Sequence, residues 1–405
     1  VNAPAPYLIS WNITKRCNLF CAHCYLDAGE LSGVDAVSTS EALRITAEVA
    51  ALAPGAMLVL TGGEPLLRPD IFEIISRAAV LGLSPVLGTN GTMLTKEVCA
   101  RLLDSGIKGA GISLDSLSPI FHDRFRGMSG AWQKTLAGME TLRAFNIPFQ
   151  MQFTITKENK GEIAETASFA LEQGALSMNF FFLVCTGRGQ KATDLTPEEY
   201  EAALEDIVKA EEEFGGRIMI RARCAPHIVR VAESVNPQSP LVKGGTCGCV
   251  AGKGYLRISP EGLVTACPYI PANEHSPSVL KTSLKEIWEK DTSFSSLRTP
   301  ALSGRCADCE YKDSCGGCRA RAFAANGSLM GEDPWCVYKP KGDEKKKAPP
   351  LTIPCWSVEA QERLEKIPSF LRPMIKKGLE RFAASKGIET ITPELMSELR
   401  QKAGK

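Results

Sequence analysis

The chain has 405 residues, a formal net charge of +1, 44% hydrophobic residues and 23% charged ones, the profile of a soluble globular protein with more than one domain. It is not a disordered tail, a collagen or a membrane-embedded chain, since no window approaches the roughly eighteen consecutive apolar residues of a membrane span. The near-zero charge supplies no general attraction to nucleic acid or anionic lipid, and the opening VNAPAPYLISWN lacks the basic and apolar regions of a signal peptide, so neither partner is expected and the cytoplasm is the expected compartment.

The first half reads as strand–helix repeats. Apolar or β-rich runs near residues 7–12, 57–60, 85–88, 109–114, 148–155, 178–184 and 217–222 alternate with helical patterns. A repeat of roughly 25–35 residues favours parallel strands joined by crossover helices, either closed into a barrel or laid out as an open sheet. In both, ligands collect at the carboxyl ends of the strands. Thr196-Pro197-Glu198-Glu199 marks one helix start, with an N-cap, a proline in the first turn and a capping-box glutamate ahead of Tyr200, Leu204 and Ile207.

From about residue 224 to 340 the texture changes to short segments rich in glycine and cysteine, which bury too little aliphatic surface to fold well without bound metal. KPKGDEKKKAPPLTI (339–353) reads as a solvated linker. A helical module follows: Ser357 caps a helix through Ile367, a stripe runs from Phe370 to Phe382, and Thr392-Pro393-Glu394 opens a third helix.

Fifteen cysteines, mostly in tight clusters, sit beside only four histidines. In a reducing compartment that favours thiolate-bound metal over disulfides, and zinc or iron–sulfur clusters over metals that prefer oxygen ligands. Directly after the first strand, Cys17-x3-Cys21-x2-Cys24 can hold three irons of a cubane and leave the fourth open to a chelating small molecule. A zinc knuckle completed by His23 is the alternative.

CxxxCxxC in this place resembles the radical S-adenosylmethionine (SAM) superfamily, and further motifs follow in that family's order. Thr61-Gly62-Gly63-Glu64-Pro65 follows the second strand, Gly88-Thr89-Asn90-Gly91 ends the third, Gly111-Ile112-Ser113-Leu114-Asp115 ends the fourth, and His122-Asp123-Arg124-Phe125-Arg126-Gly127 comes next. The resemblance implies a partial (β/α)6 TIM-like barrel over residues 1–222, with S-adenosylmethionine on a [4Fe–4S] cluster held by Cys17, Cys21 and Cys24. By the same resemblance Gly62, Gly63 and Glu64 receive the methionine amino group, Thr89 and Asn90 stand beside it, Ser113 and Asp115 contact the ribose or carboxylate, and Arg126 is a carboxylate partner.

Cys249-x12-Gly262-x4-Cys267, Cys306-x2-Cys309-x5-Cys315-x2-Cys318 and Cys336 resemble the SPASM-type extension of that superfamily, placed at 223–340, which binds one or two auxiliary iron–sulfur clusters. The resemblance assigns Cys306, Cys309, Cys315 and Cys336 to one cluster and Cys249, Cys267 and Cys318 to another, with Cys247 or Cys224 as its fourth ligand. Structural zinc is the alternative. Cys99 and Cys185 read as buried small hydrophobes, and Cys355 as structural.

Thr186-Gly187-Arg188-Gly189, Cys224-Ala225-Pro226-His227 and CGGCRARAFAANGSLMGEDPWCVY (315–338) resemble the tetrapyrrole-modifying branch, which includes the heme synthases and their heme d1 relatives. Beyond a linker at 341–353, the segment 354–405 resembles a module of light-independent protochlorophyllide reductase. This implies an oxidoreductase acting on a tetrapyrrole and fed electrons by a reductant such as ferredoxin or flavodoxin. Arg188 is then the first choice to bind a substrate carboxylate, ahead of Arg126, Arg221 and Arg223. His227 is an axial iron ligand or acid–base group, or else a satisfied core histidine. Phe180-Phe181-Phe182 and Tyr269 supply surfaces for a flat ring. A maturase of ribosomal peptides is the competing reading.

Overall fold

The computed structural model describes residues 3–29, 31–184, 186–191, 195–243, 248–341, 355–365, 367, 372–385, 388 and 390–403. Seven parallel strands lie side by side in chain order: β1 (Leu8–Asn12), β2 (Met57–Thr61), β3 (Ser84–Thr89), β4 (Ala110–Ser113), β5 (Phe149–Ile155), β6 (Ser177–Phe182) and β7 (Met219–Arg223). Each falls on one of the seven expected runs, one strand more than a six-stranded barrel has. β8 (Tyr255–Ile258) pairs in parallel with the free edge of β1, from Leu8↔Tyr255 to Trp11↔Ile258, and β9 (Val264–Thr265) returns antiparallel to it. The cysteine-rich segment therefore continues the barrel sheet, because β1 would otherwise expose an unpaired edge.

The sheet curls. Tyr7, just before β1, donates its N–H to the Gly254 carbonyl, yet its phenol influences the charge of Arg221 and Arg223 on β7, at the far end of the seven-strand run. Side chains alternate across this curved sheet. Met151, Phe153, Met178, Phe180 and Phe182 face outward and are fully buried against the crossover helices. Phe182 meets Tyr200 edge-on at 4.5 Å, and that helix, Pro197–Phe214, begins at the expected capping box. Gln150, Gln152, Asn179 and Phe181 take the opposite face. Of the three consecutive phenylalanines, two are thus core and only Phe181 lines the lumen. Cys99 is core, as expected.

Residues 355–403 have a small core of their own, with Leu364, Leu379, Phe382, Ile391 and Leu395. Its helices are Val358–Glu365, Arg372–Ser385 and Pro393–Ala403, the first and last capped by Ser357 and Thr392. A two-residue parallel pair, Cys355–Trp356 with Thr390–Ile391, was not foreseen. Among the described residues no helix is long and apolar enough to cross a membrane. Most of the expected linker, Cys185 and Cys247, and the side chain of Cys355 lie outside the described residues.

Candidate active site

The motifs at the strand ends converge on the loop that carries Cys17, Cys21 and Cys24. Gly63 lies against the backbone of Arg16, where a Cβ would overlap the Arg16 carbonyl, and the Glu64 N–H donates to that same oxygen at 2.8 Å. From the third strand end, Asn90 Nδ2 donates to Asn18 Oδ1 at 2.9 Å. Arg126 reaches Cys21 Sγ at 3.8 Å, while its carbonyl accepts from the Phe20 N–H. Gly187, at φ +57°, presses on the carbonyls of Cys24 and Tyr25. Each motif that looks like a turn in isolation is one side of a cradle for the same loop.

Glu64 is fully buried. Its carboxylate accepts from Thr89 Oγ1 at 2.8 Å, Asn90 N at 3.0 Å and Leu66 N at 3.2 Å. Burial pushes its pKa up to about 7 against those three donors. A carboxylate so placed is stabilised by an incoming ammonium. Ser113, on the inward face at the end of β4, keeps part of its surface open.

Three expected site residues are taken up by other partners. Asp115 pairs with Arg126 at 2.5 Å and accepts from the Thr154 N–H at 2.8 Å. Its carboxylate is therefore an anchor for Arg126, which in turn supports Cys21. Arg188 donates to the carbonyls of Cys21 and Ala28 at 3.0 and 2.6 Å, pairs with Asp27 and lies over the Phe20 ring at 3.9 Å. It braces the cysteine loop and does not stand open toward a substrate carboxylate. His227 is buried, bonds to the Tyr200 hydroxyl through Nδ1 at 2.8 Å and has Nε2 3.7 Å from Asp333, with burial lowering its pKa to about 4. Nδ1 is thus satisfied as in a core histidine, while Nε2 is buried with no hydrogen-bond partner among the described residues. His23 lies flat on Phe125, with ring centroids 4.3 Å apart.

The cysteines fall into three sets, defined by the charge each thiolate feels from the others. In the first, burial pushes Cys17 up to about 12, with Glu64, Cys21 and Cys24 adding to the effect. In the second, Cys306, Cys309, Cys315 and Cys336 line one open pocket. Cys306 and Cys336 both raise Cys315, chiefly a burial effect. In the third, burial raises Cys224, Cys267 and Cys318, and each of them also feels the charge of Cys249. Among the described residues no three His, Cys, Asp or Glu side chains form the cage of a single metal ion.

The donor sets fit iron–sulfur clusters. Sulfurs that burial makes hard to ionise are relieved by binding a cationic metal core. Several also receive N–H donors: Leu19 on Cys17, Ala28 on Cys24, Tyr311 on Cys309 and Gly317 on Cys315, each at 3.4 Å. Cys224, one of two candidates in the sequence, falls inside the third set, where the φ of +58° it adopts places it at the end of β7. Asp333 was missed by sequence reasoning. Fully buried, it accepts from Cys318 N–H at 2.8 Å and Arg321 Nη1 at 2.9 Å, tying the third set to the second.

The lumen is polar and cationic. Arg223 Nε donates to Asn179 Oδ1 at 2.8 Å, and Arg257 Nε to Asn12 Oδ1 at 2.6 Å. Burial, then the neighbouring charge of Arg223, brings Arg221 down to about 9. Tyr25, directly after Cys24, receives the Asn12 amide at 2.8 Å and meets Tyr269 edge-on at 5.3 Å. Arg257 carried no motif, but its alternation with Tyr255 in the run YLRI put both on one face.

Comparison with known proteins agrees with this geometry. Residues 11–170 match the radical SAM superfamily, 247–318 the iron–sulfur cluster-binding SPASM domain, and 356–400 the proto-chlorophyllide reductase 57 kD subunit family. An AdoMet-dependent heme synthase of Methanosarcina barkeri is 40% identical over 351 residues, covering 83% of this chain and 97% of that protein. A pre-heme d1 synthase of Dinoroseobacter shibae is 30% identical over 355 residues, covering 82% and 86%. The fold is that of SuiB from Streptococcus suis bound to S-adenosylmethionine, with TM-score 0.67 and 16% identity over 82% of this chain and 78% of that one. With its thiol sets, its SPASM extension and these relatives, the chain belongs to the radical SAM superfamily, as an iron–sulfur enzyme closely related to the AdoMet-dependent heme synthases.

Proposed function

We propose that the enzyme oxidatively decarboxylates propionate side chains of an iron tetrapyrrole, leaving vinyl groups. The observation that carries this reading is similarity to a heme synthase along nearly that relative's whole length; the cationic lumen is consistent with a substrate rich in carboxylates. Cys17, Cys21 and Cys24 hold the [4Fe–4S] cluster that binds S-adenosylmethionine. Cys306, Cys309, Cys315 and Cys336 hold one auxiliary cluster, and Cys249, Cys267, Cys318 and Cys224 the other. When bound, the first cluster and S-adenosylmethionine supply a 5′-deoxyadenosyl radical able to remove hydrogen from an unactivated carbon.

The chain's own residues position and exclude. Glu64, oriented by Thr89 and Asn90, accepts from the methionine ammonium, Gly62 and Gly63 let backbone approach it, and Ser113 contacts the ribose or carboxylate. Arg126 and Arg188 hold the cysteine loop in place. The barrel keeps water from the reacting carbon. Each turnover takes one hydrogen atom from the propionate β-carbon, giving 5′-deoxyadenosine; the carboxylate leaves as carbon dioxide, the new double bond forms, and the one electron released would be accepted by an auxiliary iron–sulfur cluster. A low-potential protein such as ferredoxin or flavodoxin serves as reductant.

Anaerobic titration of the reconstituted enzyme with iron-coproporphyrin III, followed at the Soret band, tests the reading. A saturable shift is expected with the macrocycle and none with peptides. A flat titration with the macrocycle contradicts it.

A further inference from the structure

We propose that Arg223 and Arg257, on β7 and β8 of the curled sheet, are the carboxylate-binding residues that hold the substrate's propionates and so select a poly-anionic ring. This deepens the function proposed above and rests on it.

The interior of a parallel barrel is ordinarily filled by branched aliphatic side chains. Here inward positions carry arginine instead, with Ile220 and Ala222 facing the other way on β7, and Leu256 and Ile258 on β8. Arg257 is only 5% exposed. A guanidinium taken out of water carries a desolvation cost that a bound carboxylate offsets. Among the described residues neither arginine has a carboxylate partner: the Nε of each is held by a neutral amide, Asn179 or Asn12, and their terminal nitrogens have no hydrogen-bond partner there. Holding Nε fixes the plane of the fork, so that the two terminal nitrogens are pre-oriented for a bidentate carboxylate.

The two sites belong to one wall. Tyr7 influences Arg223 and bonds to Gly254, the residue before β8. From Arg257 the chain of contacts runs through Asn12 to Tyr25, and from Tyr25 to Tyr269, which senses the charge of Cys224 beside Arg223. A carboxylate on Arg257 therefore lies two hydrogen-bonded residues from the loop of Cys24. One on Arg223 lies next to the third cysteine set. Arg188, the sequence's first choice for this task, is fully engaged elsewhere.

The test uses the reconstituted full chain and two ligands, iron-coproporphyrin III and its tetramethyl ester, read as Soret titrations. In wild type the acid is expected to bind and the ester to bind weakly. Arg223→Gln and Arg257→Gln should each weaken the acid about 10- to 150-fold, the range for a lost charge-assisted contact, while leaving the ester unchanged. Arg223→Lys should fall between. Iron content and SAM affinity, measured on every variant, exclude a folding defect. Wild-type binding with unaltered affinity in both glutamine variants, or equal affinity for acid and ester, overturns the carboxylate assignment and leaves the function standing. No Soret response in wild type overturns the function and this assignment together.

Discussion

Glu64→Gln isolates the role of a single carboxylate. Moving its pKa from 4.5 to about 7 corresponds to roughly 3 kcal/mol against the ionised form. Because the folded pKa is raised, this carboxyl favours folding most below about pH 4.5, and that contribution is lost as pH climbs through about 7. An ammonium bound against it reverses the balance, so ligand binding must expel the proton when the pH is below about 7. The ionised fraction rises roughly eightfold between pH 6 and 7.5, and SAM affinity should rise by about the same factor. Glu64→Gln should abolish this slope and weaken binding at pH 7.5 about 10- to 150-fold, the charge-assisted bond being lost and an amide N–H now facing the donors of Thr89, Asn90 and Leu66. Anaerobic equilibrium dialysis with labelled SAM, on protein of equal iron content, is the assay. The same pH slope in wild type and variant, or equal affinity at pH 7.5, would refute the argument.

Arg188→Ala should release iron to a chelator several-fold faster, since it removes two carbonyl contacts from the cysteine loop, and tetrapyrrole affinity in fully loaded protein should not change; a change in affinity at normal iron retention would return Arg188 to the substrate. Asp115→Ala leaves Arg126 buried without its partner and should cost about 3–5 kcal/mol in anaerobic denaturant unfolding; a loss near zero would show that the pair anchors nothing. Cys224→Ala should lower the iron count after reconstitution, by about four if the third set holds a cubane, whereas Cys247→Ala should not; the reverse result would exchange the two ligands.

The parallel strands were legible because hydrophobic runs at regular spacing leave parallel pairing as the economical arrangement, and all seven runs are strands; spacing left barrel and open sheet both possible, and the barrel came from the resemblance. β8 was hidden for a physical reason: YLRI is short, flanked by Gly254 and by Ser259-Pro260, and becomes a strand only because β1 offers it an edge. The cysteine sets came from the resemblance to the SPASM extension, which left Cys224 and Cys247 both open; that Cys224 directly follows β7 is a tertiary fact. The surroundings of Arg188 and His227 were hidden in the same way. A charged residue at a strand end looks available until its partners are known, and the carbonyls of Cys21 and Ala28 and the Tyr200 hydroxyl are distant in sequence. Arg257, unlike Arg223, was obscured by the converse: its interest lies in a neutral partner and an inward face, which motif spacing does not reveal.

The most direct test is a single-turnover reaction of the anaerobic, reduced, fully reconstituted enzyme with SAM and iron-coproporphyrin III, both products being followed by mass spectrometry. The account predicts 5′-deoxyadenosine together with a macrocycle lighter by carbon dioxide and two hydrogens for each propionate converted. Formation of 5′-deoxyadenosine over an unchanged macrocycle would contradict it.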